Sequence, residues 1–300
     1  MAGLLTDSIL LLGEHGQLGR SLVAQCKAAD IQLRQWTHDK YPSGRRIPLN
    51  EVFALCTPQV IINATAYTQV ELAEEEPEQV MAVNRDKVCH LARVAKQHDA
   101  LLVHFSTDYV FDGSGVRPWC EEDAPNPLNI YGQSKWFGEQ EIIASGCRYL
   151  IIRTSWLHSP WRHNFVKTML RLGQTQSELS VVCDQIGAPT SAALLAELTM
   201  MAVTRVQSMP SLAGLYHVTA EGEVSWFHYA DFIFNEAHRI GLIEKVPRLI
   251  PVTSASYRSP VRRPLNSRLD TMRFCSTFGV KLPDWREGVR DTLLQLQRTK

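Results

Sequence analysis

Tyr131 and Lys135 stand four residues apart in the segment NIYGQSKWFGEQE, residues 129–141. On a helix, side chains at i and i+4 share a face, so a phenol and an ammonium would reach a common point. That pairing suits proton transfer, although an exposed helical face carries the same spacing by chance. A free phenol has a pKa of ~10, and an ammonium about 4 Å away at an effective dielectric of about 20 contributes up to ~4 kcal/mol, or ~3 pKa units before desolvation opposes it. Upstream, HFSTDYVFDG ends an apolar run in Ser106, Thr107 and Asp108. Hydroxyls at the carboxyl end of a buried strand can face a ligand crevice, and strand-end capping by Ser, Thr and Asp is the competing explanation. Taken together, the set fits hydride transfer at a carbonyl carbon. Tyr131 would supply the proton, Thr107 would position the oxygen, and Lys135 would adjust the phenol and hold the ribose hydroxyls of a nicotinamide.

Such chemistry needs a cradle for a dinucleotide, and LLGEHGQLGRSL offers one. Gly13, Gly16 and Gly19 form G-x-x-G-x-x-G between an apolar run and a stretch of helical spacing, with Gln17 and Leu18 inside the turn. Glycine lets backbone N–H groups approach a pyrophosphate at a helix N-terminus. An ordinary strand-to-helix turn also needs small residues, and here the position in the chain favours the cradle. Glu14 argues against it, because a carboxylate beside two phosphates repels them unless it points to solvent.

The elements that must position these residues alternate. SILLLG, IQLRQW, QVIINATA, ALLVHFST and RYLIIRTSW read as strands; QLGRSLVAQCKAAD, LNEVFALC, EPEQVMAVNRDKVCHLARVAKQHD and PLNIYGQSKWFGEQEIIAS read as the helices between them. This order predicts an α/β fold with a doubly wound, Rossmann-like parallel sheet. After about residue 156 the rhythm loosens. NFVKTMLRLGQ, AALLAELTMMAVTRV and WFHYADFIFNEAHRIG read as helices, ELSVVC and GLYHVT as short strands, and the proline-dense VPRLIPVTSASYRSPVRRPLNSRLD as loop over a binding site. The expected organisation is a dinucleotide-binding region over 1–155 and a smaller, loop-rich, mainly substrate-binding region over 156–300, with some late segments returning to the first sheet.

Bulk properties narrow the function classes. Lys plus Arg equals Asp plus Glu at 31 each in 300 residues, so no global field favours nucleic acid or an anionic membrane. The seven cysteines are scattered without metal spacing, a pattern suited to a reducing cytoplasm. No apolar run approaches the roughly 18 residues of a membrane span, and MAGLLTDSILLLG reads as a first strand rather than a signal peptide. ELAEEEPE more simply opens a helix than binds a metal, since acids complement the helix dipole.

The combination of Gly-x-x-Gly-Gln-Leu-Gly with STDYVFDG, PLNIYGQSK, IIRTSW, NFVKTMLRL, DQIGAPT, GLYHVTAEGEVSW, RRPLNSRLD and LPDWREGV resembles the dTDP-4-dehydrorhamnose reductase family of the extended short-chain dehydrogenase/reductases, over nearly the whole chain. The resemblance implies NAD(P)H-dependent reduction of the 4-keto group of dTDP-4-dehydro-β-L-rhamnose by a cytoplasmic monomer or homodimer. It implies Thr107, Tyr131 and Lys135 as catalytic residues. Cofactor contacts would come from Gly13, Gly16, Gln17, Leu18 and Gly19, from Thr37, Arg46 and Ile47, from Ala64, Thr65 and Ala66, and from Tyr131 and Lys135. Substrate contacts would come from Thr107, Asp108 and Trp156; by their chemistry Asn164, Arg262 and Arg263 suit the pyrophosphate and sugar, and no metal ligands are assigned. The family often has an acid after the second strand for the adenosine ribose; here Thr37 and His38 stand there, with Asp39 beyond and Arg34, Lys40, Arg45 and Arg46 nearby. NADPH is therefore the expected cofactor, with NADH still usable. Two other readings share the fold: a non-catalytic regulatory subunit of a methionine adenosyltransferase, and a nucleotide-sugar epimerase with tightly held NAD.

Overall fold

The computed structural model describes residues 9–36, 58–257 and 259–299. Its chain divides into two compact units: Met1–Thr107, Ile130–Arg153 and Ala196–Tyr216 form the first, and Asp108–Asn129, Thr154–Leu195 and His217–Lys300 the second.

The first unit holds a six-stranded sheet. Its elements are β1 (Ile9–Leu12), α1 (Gln17–Ala28), β2 (Leu33–Trp36), β3 (Val60–Asn63), α2 (Pro77–Met81), α3 (Lys87–Gln97), β4 (Leu101–Thr107), α4 (Ile130–Ser145), β5 (Arg148–Thr154), α5 (Ala192–Ser208) and β6 (Gly214–His217). The strand order is β6-β5-β4-β3-β1-β2, and the pairings β1–β2, β1–β3 and β3–β4 are parallel. β1 and β3 are buried along their whole length because helices cover both faces, which is why they read as unbroken apolar runs. On one face, Val88, Leu91, Ala92 and Ala95 of α3 and Ile142 of α4 pack onto Leu10, Leu12, Ile61, Leu102 and Ile151 of the sheet. Each such Leu or Ile contributes ~1.5–3 kcal/mol by leaving water.

The long helix expected over residues 76–99 is interrupted. Between α2 and α3, residues Ala82–Asp86 form a π-helical turn. Its cause is Asn84, which is buried and engaged on both sides. Its Oδ1 accepts from the Tyr67 backbone N–H at 2.9 Å, and its Nδ2 donates to the Tyr67 carbonyl at 3.1 Å and to Ser134 Oγ at 2.9 Å. α4 comes close at Gly138, where a Cβ would overlap the Asn84 carbonyl. Apolar periodicity runs through this turn unbroken, so a polar residue that widens a helix leaves no mark in the pattern.

In the second unit, helices Phe165–Thr175, Trp226–Arg239 and Trp285–Arg298 pack around Val166, Met169, Tyr229, Ile233, Phe234, Trp285 and Val289. The proline-dense stretch contains a strand, Arg248–Val252, paired in parallel with Glu178–Val182. Pro251 is tolerated there because the pair has only two strands, each an edge. Among the described residues, no helix is long and apolar enough to cross a membrane.

Candidate active site

Register brings three strand ends into one row: Leu12 pairs with Asn63, and Asn63 with His104. The glycine turn leaves β1 beside the Ala64–Ala66 loop that leaves β3. Gly13 has φ +92°, and a Cβ there would lie 2.8 Å from the Ala64 carbonyl oxygen and 2.9 Å from Thr65 Cγ2. A Cβ on Gly19 would overlap the Gly13 carbonyl. Gly16 differs: a Cβ would meet only the Gly13 oxygen at 3.3 Å and the Ala64 oxygen at 4.0 Å, so the protein's own packing does not demand a glycine as strictly. Gly16 is also the N-cap of α1, supplies no side-chain cap, and no acid occupies the first turn. The exposed end of the helix dipole and the bare backbone at Gly16 fit a phosphate group. Leu18 is buried, so any contact from it to a ligand runs through its backbone. Glu14 does not point to solvent; it is buried, with an oxygen 3.6 Å from His15 Nε2.

Thr107, buried, ends β4, and Tyr131 and Lys135 occupy the first turns of α4. Tyr131 packs against the buried cluster of Tyr67, Ala73 and Val80. Ser134 Oγ donates to the Tyr131 carbonyl at 2.7 Å while receiving the Asn84 amide, so the π-helical turn steadies the segment that bears the phenol. Lys135 is 2% exposed. Its Nζ donates to the Phe105 carbonyl at 2.6 Å and lies 3.2 Å from His104 Nε2. The lysine thus ties α4 to β4 two residues from Thr107. Burial lowers the Lys135 pKa from 10.5 to about 8, against the opposing pull of the Glu139 carboxylate.

This lowering has a measurable consequence. Below pH 8 the folded chain bears the cost of a buried ammonium. Between about 8 and 10.5 the folded state has lost a proton that the unfolded state keeps, so this group's contribution to stability rises with pH across that window. The urea midpoint of the wild type is expected to gain relative to that of Lys135→Met between about pH 7 and about pH 10. Parallel curves for the two proteins would show that another group titrates.

Asn63 and His104 are buried neighbours of Lys135 and Thr65 that spacing did not reveal, because single polar residues inside apolar strands read as tolerated exceptions. Both are buried and stand between Thr65 and Lys135. Thr37, Arg46 and Ile47, with His38, Asp39, Lys40 and Arg45, lie outside the described residues. Arg34 is on β2 and exposed.

The remaining expected substrate residues belong to the second unit. Asp108 is buried at its start. Arg263 is half-buried and donates from Nη1 to Tyr109 Oη at 3.2 Å. Asn164 is the N-cap of helix Phe165–Thr175: its Oδ1 accepts from the Lys167 N–H at 3.2 Å and its Nδ2 donates to the Ser159 carbonyl at 2.8 Å. Trp156 has φ +48°, a strained setting for a bulky residue of the kind that collects at functional sites. Its ring stacks on Trp226 at 3.5 Å with 12° between planes, and Gly187 leaves it room, since a Cβ there would lie 2.7 Å from Trp156 Cε2. Trp226 Nε1 in turn donates to Gln185 Oε1, Gln185 Nε2 to Ser254 Oγ, and Ser254 Oγ to Asp184 Oδ1. The DQIG motif therefore holds the Trp156–Trp226 stack. Trp226 was visible only as an aromatic on a predicted helix.

The parallel sheet, the glycine turn and the Tyr-x-x-x-Lys helix together define a Rossmann-like α/β protein of the short-chain dehydrogenase/reductase kind. More narrowly, the chain belongs to the RmlD substrate binding domain family, whose sequence model matches residues 7–298. It is 40% identical over 299 residues to a dTDP-4-dehydrorhamnose reductase of Escherichia coli K12, covering 97% of this chain and 99% of the relative. Among solved structures it is similar to a dTDP-4-dehydrorhamnose reductase of Clostridium acetobutylicum, with TM-score 0.87, 33% identity, and 97% and 99% of the two chains covered. A dTDP-4-dehydrorhamnose reductase of Bacillus anthracis, solved in complex with NADP, matches with TM-score 0.85 and 32% identity, again over 97% and 99% of the two chains.

Proposed function

We propose that this protein reduces the 4-keto group of dTDP-4-dehydro-β-L-rhamnose to give dTDP-β-L-rhamnose, using NADPH. The observation that carries the reading is the buried Lys135, bonded to the end of β4 and set one helical turn after Tyr131 in a chain with full-length reductase relatives. NADPH, when bound, supplies the hydride. Tyr131 gives its phenolic proton to the sugar oxygen as negative charge builds there, and Thr107 holds that oxygen in place. Lys135 in its ammonium form favours the phenolate that Tyr131 leaves behind. The glycine turn receives the pyrophosphate on the α1 N-terminus, and Ala64–Ala66 border the same turn. Trp156, Asp108 and Arg263 serve the nucleotide-sugar, while Asn164 acts through the helix it caps. The enzyme works in the cytoplasm, as a monomer or homodimer.

Following NADPH oxidation with the dTDP-4-keto sugar tests the reading. Stoichiometric conversion to the 4-hydroxy sugar supports it. Cofactor that co-purifies and is never consumed would instead mark an epimerase, and absence of turnover a regulatory protein. With Thr37 and His38 in the usual place of the ribose-binding acid, NADPH is expected to be preferred over NADH by roughly tenfold in kcat/KM, about 1.4 kcal/mol. An NADH preference abolished by Asp39→Ala would show Asp39 on the ribose.

A further inference from the structure

The amide of Asn63 has its orientation dictated from outside. The Thr65 backbone N–H, which can only donate, lies 3.2 Å from one end of that amide, and Thr65 Oγ1 lies 2.6 Å from the same end. That end is therefore the oxygen, and the other end is the NH₂, which faces His104 Nδ1 at 3.1 Å. Nδ1 must accept. His104 is fully buried and beside Lys135, and both factors hold its imidazole neutral, with a pKa well below the usual value. A neutral imidazole that accepts at Nδ1 carries its proton on Nε2, and Nε2 faces Lys135 Nζ at 3.2 Å. An N–H aimed at an ammonium is repulsive, whereas aimed at the lone pair of an amine it is a hydrogen bond.

We propose that Asn63 and His104 are positioning residues for Lys135: Asn63 locks His104 as the Nε2–H tautomer, and that N–H stabilises the amine form of the lysine over the ammonium. The inference rests on the catalytic reading of Lys135 given above, and it adds what sets the charge of that lysine. The chain begins at Thr65, in the loop against Gly13, so a change in the backbone of the cofactor turn reaches the lysine through two side chains. Among the described residues, Glu139 on the same helix also acts on Lys135, and Glu139 is paired with Arg153 on β5. Glu139 favours the ammonium. Lys135 thus stands between a carboxylate that favours its charge and an imidazole N–H that opposes it.

The test uses the full-length protein. Imidazole ¹⁵N chemical shifts of histidine-labelled wild type are expected to show His104 neutral, protonated at Nε2 and bare at Nδ1. In Asn63→Leu the lock is lost, Nε2 becomes an acceptor, and the Lys135 titration, read from its side-chain NMR signals, should move up by about one to two pH units. The alkaline limb of kcat/KM should move with it. A purely structural role for Asn63 would lower stability without moving either titration. An Nδ1–H tautomer in the wild type overturns the proposal without any variant. A Lys135 titration unmoved in Asn63→Leu also overturns it. Failure of the catalytic reading is separately visible: Lys135→Met would then keep wild-type turnover, while the tautomer and titration would still report on the network.

Discussion

Tyr131→Phe is expected to lower kcat for the dTDP-sugar by roughly 10² or more while changing NADPH affinity by no more than about twofold. The asymmetry follows from where the ring sits. It packs against the cluster of Tyr67, Ala73 and Val80, and phenylalanine keeps that packing. The carbonyl of residue 131 accepts from Ser134 Oγ, which in turn accepts from Asn84 Nδ2. The donated proton is lost at the step where negative charge builds on the sugar oxygen. Steady-state rates, together with a fluorescence titration of NADPH, check both halves. Wild-type turnover would remove Tyr131 from the proton-donor role, and a matching loss of cofactor affinity would mean that the substitution disturbs the nucleotide site.

The largest effect on stability is expected at Glu139→Ala. Glu139 and Arg153 form a two-pronged ion pair, with 2.9 Å from Nε to Oε1 and 2.6 Å from Nη2 to Oε2, and their side chains are 0% and 3% exposed. Removing the carboxylate takes the ion-pair partner from a buried guanidinium, which costs about 3–5 kcal/mol. Replacing both residues with apolar ones of similar volume should recover most of that loss, because the pair's mutual attraction mainly offsets its own desolvation. Urea unfolding of Glu139→Ala and of the double variant Glu139→Leu/Arg153→Met measures both. A single-variant loss below about 1 kcal/mol would show that solvent reaches Arg153. Glu139 also favours the Lys135 ammonium, so the single variant should lower that titration further.

Much of the first sheet was legible because burial on both faces writes continuous apolar runs, as at Ile9–Leu12 and Val60–Asn63. The glycine turn was legible for a related reason: Gly13 and Gly19 are sites where any Cβ collides with backbone. Other features depend on partners distant in sequence. Asn84 widens a helix by bonding to Tyr67 and Ser134, and His104 acquires its role only when Asn63 and Lys135 flank it. Arg248–Val252 was hidden by its prolines and becomes a strand because Glu178–Val182 pairs with it. Asn164 reads in the sequence as a polar group suited to the nucleotide-sugar, and its role as a helix cap depends on the local geometry of residues 159–167.

The interleaving of the two units bears on how the chain is made. The six-stranded sheet takes β6, residues Gly214–His217, as an outer strand beside β5. A growing chain therefore cannot complete its first unit when residue 155 leaves the ribosome. At ~5–20 residues per second, the roughly sixty residues that follow take several seconds, during which β5 keeps an unpaired edge. Translation past residue 217, rather than past the midpoint of the chain, marks when the nascent protein can close its six-stranded sheet.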